Sequence, residues 1–169
     1  MLDIASGTGA QCRDAGNAGF DATGIDLAES MVNVARSMGG ANTSYIEGSA
    51  LELPFDNESF DICLLILALH EHPESERATI LKEALRVLQP RGHLVIAEYQ
   101  EPRRAWKLHP AWQLIRGVEH AAGAAHRSGF RDFVSRGSLT GFAERHALTF
   151  TEEVRSHFGM IRAVAIPRR

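Results

Sequence analysis

Two stretches near the start of the chain hold the residues best suited to grip a ligand. Leu2-Asp3-Ile4-Ala5-Ser6-Gly7-Thr8-Gly9 reads as a short strand and a glycine turn that opens a helix. Gly24-Ile25-Asp26 reads as a second strand ending in a carboxylate. Glycines let the backbone come close to a ligand, and an acid at the next strand end can accept hydrogen bonds from ribose hydroxyls. The arrangement suits a nucleoside cofactor. A dinucleotide fingerprint would place a third glycine where Cys12 stands, because a pyrophosphate must sit on that helix N-terminus. Cys12 therefore favours a ligand without a pyrophosphate and speaks against a nicotinamide dehydrogenase.

Asp26 can accept from both ribose hydroxyls. It can also cap the helix that begins near Ala28, and the two roles are compatible if its oxygens divide the work. Leu27 and Met31 then stand where they would pack against a base. Farther along, Leu69-His70-Glu71-His72 follows a strongly apolar strand. His70 falls just past that strand's C-terminal end, where open α/β sheets bind ligands, and it is the candidate catalytic residue. It can position a substrate, act as general base toward an oxygen or carbon acid, or serve as a loop or capping histidine. His70 and His72 flank Glu71 and so raise zinc. The H-E-x-x-H pattern, however, needs four-residue spacing on a helix, which Pro73 precludes, so no metal is assigned.

At these residues the chain resembles the class I S-adenosylmethionine-dependent methyltransferases, in the small-molecule group that includes the ubiquinone and menaquinone C-methyltransferases. That family opens with an acid and a turn of the form D-x-G-x-G-x-G. Asp3, Gly7 and Gly9 match, and Ala5 stands where the first glycine is usual. The resemblance runs from residue 2 to about residue 99. It implies cofactor contacts from Asp3, Ala5, Ser6, Gly7 and Gly9, from Asp26, Leu27 and Met31, and from the backbone at Ile66 and Leu67. Ser49 and Ala50 stand where the family usually reads G-D-A against adenine, and a serine hydroxyl accepts more weakly there than an aspartate. The implied cofactor is S-adenosylmethionine and the implied activity is methyl transfer to a small molecule. The alternative is a degenerate or truncated relative that binds adenosyl ligands without catalysis. Ala5, Ser49 and the lack of the helices that family members carry ahead of the first strand motivate it.

Between Glu101 and Phe133 lie Trp106, Trp112, Glu119, His120, His126, Phe130, Phe133 and several arginines. Members of the resembled family place substrate-facing structure here. The stretch reads either as an aromatic, arginine-lined pocket for a flat or anionic acceptor, or as two amphipathic helices with Trp and Phe in the core.

The elements that must position these residues alternate between strand and helix signals, which predicts an α/β fold with a mainly parallel sheet. Strands are expected over 2–5, 22–26, 43–47, 62–67 and 93–99, and near 148–154 and 160–166. Helices are expected over 11–18, from Ala28 with Met31, Val34, Ala35 and Met38 at helical spacing, and from Pro73 with Ile80, Leu81, Ala84, Leu85 and Leu88 on one side. The resemblance makes this a Rossmann-like, doubly wound, seven-stranded sheet with an antiparallel closing strand.

At 169 residues, 44% hydrophobic and 23% charged, the chain suits one globular domain over 1–169. Its longest apolar run, Ile62 to Leu69, is too short to span a membrane. Cys12 and Cys63 lie far apart and are expected to be reduced; with no signal peptide ahead of Met1, the cytoplasm is the expected compartment. Residues 1–84 hold 4 basic and 14 acidic side chains, and residues 85–169 hold 14 and 7. An acidic half suits a sulfonium cation and a basic half an anionic substrate, unless the segregation is only a solvated surface. An isoelectric point near 6.2 without a continuous basic stripe argues against nucleic acid.

Overall fold

A computed structural model describes residues 1–101 and 109–168, so Trp106 lies outside the described residues. Seven strands form one sheet in the order β3-β2-β1-β4-β5-β7-β6. They are β1 (Leu2–Ile4), β2 (Ala22–Asp26), β3 (Thr43–Glu47), β4 (Phe60–Ile66), β5 (Leu88–Tyr99), β6 (Glu152–Ser156) and β7 (Ile161–Pro167). The helices are α1 (Ala10–Asn17), α2 (Glu29–Met38), α3 (Glu74–Val87), α4 (Pro110–Ala121), α5 (Ala124–Ser135) and α6 (Ser138–Arg145), with a 3-10 turn at Leu69–Glu71. β1 pairs in parallel with β2 and β4, and β2 with β3. β6 and β7 are antiparallel. Bonds from Gln100 N–H to the Met160 carbonyl and from Arg168 N–H to the Gly92 carbonyl, each 2.9 Å, run β7 antiparallel to β5 as well. This is the Rossmann-like, doubly wound fold, with its order reversing between β1 and β4.

The chain divides into two compact units. The first comprises residues 1–66, 79–95 and the C-terminal end from 167. Leu2 and Ile4 of β1 and Cys63 and Leu65 of β4 are fully buried, and Cys12, Ala22, Val32, Ala35 and Tyr45 form a core cluster. α2 is turned relative to expectation: it buries Val32 and Ala35 and leaves Met31, Val34 and Met38 about half exposed. The apolar residues share one arc of this helix, and the sheet takes the Val32 and Ala35 side of that arc. Leu88, expected on the α3 face, instead opens β5, which begins five residues before the expected His93. The expected turn survives inside that strand as Arg91 at φ +69°.

The second unit comprises residues 67–78 and 96–166. Tyr99, Trp112, Phe130 and Met160 form its cluster, with Phe133, Leu139 and Phe142 also buried. α6 was not anticipated. It explains why β6 starts at Glu152 rather than near Leu148: the Leu148 N–H bonds the Ala143 carbonyl at 2.9 Å and closes the helix, with Ala147 at φ +50°. β6 is exposed at every residue and carries Glu152, Glu153 and Arg155, a charged edge that discourages further strand pairing. Among the described residues no helix is long and apolar enough to cross a membrane.

Candidate active site

In the first unit, parallel register brings the C-terminal ends of four strands to one edge: Ile4 lies opposite Ile25 and Leu65, and Asp26 opposite Glu47. The chain leaves β1 through Ala5 at φ +60°, a left-handed conformation that costs an L-residue about 1–2 kcal/mol. The Ser6 N–H bonds the Ile25 carbonyl at 3.0 Å, and the Gly9 N–H returns to the Ser6 carbonyl at 2.9 Å. Only glycine fits at position 9, where φ is +75° and a Cβ would lie 2.4 Å from the Tyr45 ring. Helix α1 then starts at Ala10 with no side-chain cap and no acid in its first turn. Such an N-terminus offers its N–H groups to an anion.

Asp26 ties the pieces together. One carboxylate oxygen accepts the Gly7 N–H at 2.8 Å and the other the Ala28 N–H at 2.9 Å, while its carbonyl accepts the Gly48 N–H at 2.9 Å. The residue at the α2 N-cap is Ala28, so Asp26 bridges two loops rather than capping the helix. The structure thus gathers Ser6, Gly7, Asp26 and Gly48 at one edge. Ser49 Oγ accepts the Leu51 N–H at 3.1 Å, and Ala50 follows half-buried. Leu27 is 72% exposed and Met31 43%, an apolar seat beside Asp26 in sequence. Asp3 lies beneath the turn, 2% exposed. Burial pushes its carboxyl up to about 7; the Cys12 thiol, 3.8 Å away, opposes the shift and the Asp26 charge adds to it. Ile66 ends β4, half-buried.

In the second unit, Leu67 follows at φ +54° with its N–H on the Ala97 carbonyl at 2.7 Å. His70 is 2% exposed. Its Nδ1 lies 3.0 Å from Glu98 Oε2 and its Nε2 3.5 Å from Glu119 Oε2. Glu98 also accepts the backbone N–H groups of His70 at 3.2 Å and Tyr99 at 3.1 Å. Glu119 accepts the Tyr99 hydroxyl at 2.8 Å and faces His126 Nε2 at 2.5 Å. Burial alone would lower the His70 pKa, but hydrogen bonds and charge from Glu119 and Glu98 outweigh it and hold the ring well above its ordinary value. Burial would raise Glu119, yet His70 and Tyr99 hold it well below the carboxylate range. Burial foremost, then Glu119, raises Tyr99.

Arg77 anchors this cluster from below. Fully buried, it donates to the carbonyls of Leu69 at 2.9 Å and Gly129 at 3.0 Å, and to Glu74 and Asp132. It also lies over the Phe133 ring at 5.0 Å. The 3-10 turn approaches α5 so closely that a Cβ on Gly129 would sit 2.6 Å from the His70 carbonyl oxygen. His72 goes elsewhere, to Glu76 at 2.8 Å, so the His70–His72 pair does not converge.

Glu119 also borders a cavity of about 680 Å³, lined in addition by Trp112, Arg116, Arg127, Phe130 and Arg131. Within the described part of 101–133, α4 and α5 put Trp112, Phe130 and Phe133 in the core, as amphipathic helices do, and Trp112 and Phe130 also line this arginine-bearing cavity. Sequence reasoning passed over Glu98, Tyr99 and Arg77. For Glu98 a signal was present, a lone carboxylate interrupting the buried run Leu94 to Tyr99.

Comparison with known proteins accords with this geometry. Demethylmenaquinone methyltransferases are similar: that of Renibacterium salmoninarum is 35% identical over 102 residues, covering 60% of this chain and 42% of the relative. That of Bacillus subtilis is 33% identical over 109 residues, covering 60% and 46%. The chain thus spans less than half the length of these curated relatives. A Pyrococcus horikoshii protein superposes with a TM-score of 0.74 at 20% identity, over 99% of this chain and 81% of its own. The magnesium protoporphyrin IX methyltransferase of Synechocystis, solved with S-adenosylhomocysteine, gives 0.69 at 12%, over 99% and 73%. At such identities these two likenesses speak for the fold alone. The model of the methyltransferase domain family matches residues 2–96, more than half of the sequence, and the chain belongs to that family.

Proposed function

We propose that the chain binds S-adenosylmethionine at the glycine-turn edge and transfers its methyl group to a flat, anionic small molecule. The observation that carries this reading is Asp26, which ends β2 as a carboxylate held against Gly7 and beside Gly48. Each of its oxygens uses one lone pair on the backbone and keeps another for a ribose hydroxyl. When bound, S-adenosylmethionine supplies an electrophilic methyl group on a sulfonium sulfur. The uncapped N-terminus of α1 suits the ligand's carboxylate, and an ionised Asp3 suits its positive charges. Ser49 Oγ, already accepting from Leu51, keeps one lone pair for the adenine amine, and Leu27 and Met31 offer apolar cover to the ring.

The acceptor's flat face suits Trp112 and Phe130, and its negative charge suits Arg116 and Arg131. Neither guanidinium makes a hydrogen bond or ion pair among the described residues. His70 has carboxylates at both ring nitrogens, so neither nitrogen is open to an acceptor as a general base. Two free, buried cysteines suit a reducing compartment such as the cytoplasm.

Calorimetric titration with S-adenosylmethionine and with S-adenosylhomocysteine tests the reading. Micromolar binding is expected, and Asp26→Ala should weaken it by about 1–3 kcal/mol, the worth of a charged hydrogen bond. Unchanged affinity in the variant, or no binding of either ligand at millimolar concentration, defeats it.

A further inference from the structure

The second unit holds a cluster of ligating atoms that methyl transfer does not require. His70, His126 and Glu119 come from three elements, the 3-10 turn, α5 and α4, and one ring nitrogen of each histidine and a carboxylate oxygen lie within 4.8 Å of one another. We propose that these three side chains bind a divalent first-row cation of the zinc type, although the sequence pattern assigned no metal. Two imidazoles and one carboxylate form the donor set of open zinc sites, which keep a further position for water or substrate.

Three observations support it. The Nε2 atoms of both histidines face the same Glu119 oxygen, at 3.5 and 2.5 Å. Ligands on one tetrahedral zinc stand roughly 3.3 Å apart, given bond lengths of about 2.0–2.1 Å, so His70 already stands near that spacing from Glu119, His126 has to draw back from it, and the two imidazoles have to settle at the same spacing from each other. The far nitrogen of each histidine faces another carboxylate: His70 Nδ1 meets Glu98 at 3.0 Å, and His126 Nδ1 lies 3.7 Å from Glu71. Carboxylates placed in this way orient metal-bound imidazoles and raise their basicity. The cluster is also fixed from outside, because Arg77 ties the 3-10 turn to α5 through the Leu69 and Gly129 carbonyls. A dication would offset the two buried carboxylates, Glu98 and Glu119. Glu119 lines the basic cavity, so a ligand's anionic oxygen held there is the natural occupant of the open position.

The test uses the full chain, stripped with a chelator and titrated with Zn²⁺ by calorimetry and with Co²⁺ by visible absorption, both without S-adenosylmethionine. One ion per chain should bind at micromolar or lower concentration, with the intense absorption of four- or five-coordinate Co²⁺. His126→Ala, at a partly exposed position, should weaken Zn²⁺ at least 100-fold and abolish that spectrum while circular dichroism stays native. His72→Gln should change neither. No saturable binding at millimolar Zn²⁺, or equal binding by His126→Ala and the parent chain, overturns the proposal. Because S-adenosylmethionine is titrated separately, either outcome leaves the methyltransferase reading to its own test.

Discussion

Ala5 can be exchanged for the residue its backbone calls for. At φ +60° its Cβ crowds the following carbonyl, at a cost of about 1–2 kcal/mol that glycine does not bear. Glycine has its own cost, about 0.4–1 kcal/mol of extra entropy in the unfolded chain. The difference leaves Ala5→Gly more stable by about 0.5–1 kcal/mol, which for a chain of this length raises the melting temperature by about 1–4 °C. Ala5→Val supplies the control, because a β-branched side chain is far less tolerated at positive φ and should lower the melting temperature. Thermal unfolding followed by circular dichroism, with urea unfolding to give free energies, measures both. A lower melting temperature for Ala5→Gly than for the parent would refute the argument, showing that the alanine methyl gains more from packing than its backbone loses. The same variant bears on the site: removing the methyl gives a ligand closer access to the turn, so affinity for S-adenosylmethionine should rise or stay level.

Gly129→Ala should destabilise the chain by about 1–3 kcal/mol, the cost of overpacking, because its Cβ would stand 2.6 Å from the His70 carbonyl oxygen. Urea unfolding checks it, and equal or greater stability would show that α5 moves away from the 3-10 turn freely. Asp3 makes stability depend on pH: its carboxyl rises from 3.8 to about 7 in the folded chain, which therefore holds a proton that the unfolded chain has lost. This contribution is complete below pH 4 and fades up to about pH 7, by no more than about 4 kcal/mol, so Asp3→Asn should flatten the profile and be the more stable form at pH 8. Parallel pH profiles for the two proteins would remove Asp3 as the cause.

The elements that carry the first unit's site were legible because each has a local signature. β2 and β3 have the expected boundaries residue for residue, and α2 ends at Gly39, φ +66°. Glycine and aspartate at those ends punctuate β-branched and apolar runs. The phase of α2 was not legible, since Met31, Val34 and Met38 are as apolar as the Val32 and Ala35 that the sheet selects. In the second unit, His70 was visible from its place after an apolar strand, but its partners were not. Glu98 lies 28 residues away and pairs with it only through tertiary packing. Arg77, between Glu76 and the rest of α3, reads as an exposed helix residue, yet it is fully buried because its guanidinium finds two carbonyls and two carboxylates. Pairings of this kind depend on which faces meet, and one sequence does not state that.

Where the structure sacrifices stability bears on whether the chain is a working site or an inert scaffold. Part of the local cost falls on two residues at the glycine turn: the left-handed Ala5 and the buried Asp3 with its raised carboxyl. Each could be relieved by a residue of similar size, by glycine at Ala5 and by asparagine at Asp3. The core around them is regular: Leu2, Ile4, Leu65, Ile80, Leu94 and Ile96 are buried, and the exposed edge strand is charged. A fold that needed only to persist would gain from relieving those two positions. Backbone strain and a buried carboxyl meeting at one glycine turn fit a structure that gives up stability for binding. On that argument the departures at Ala5 and Ser49 leave the proposed site its frame, because Asp26 still joins Gly7 and Gly48 at the turn.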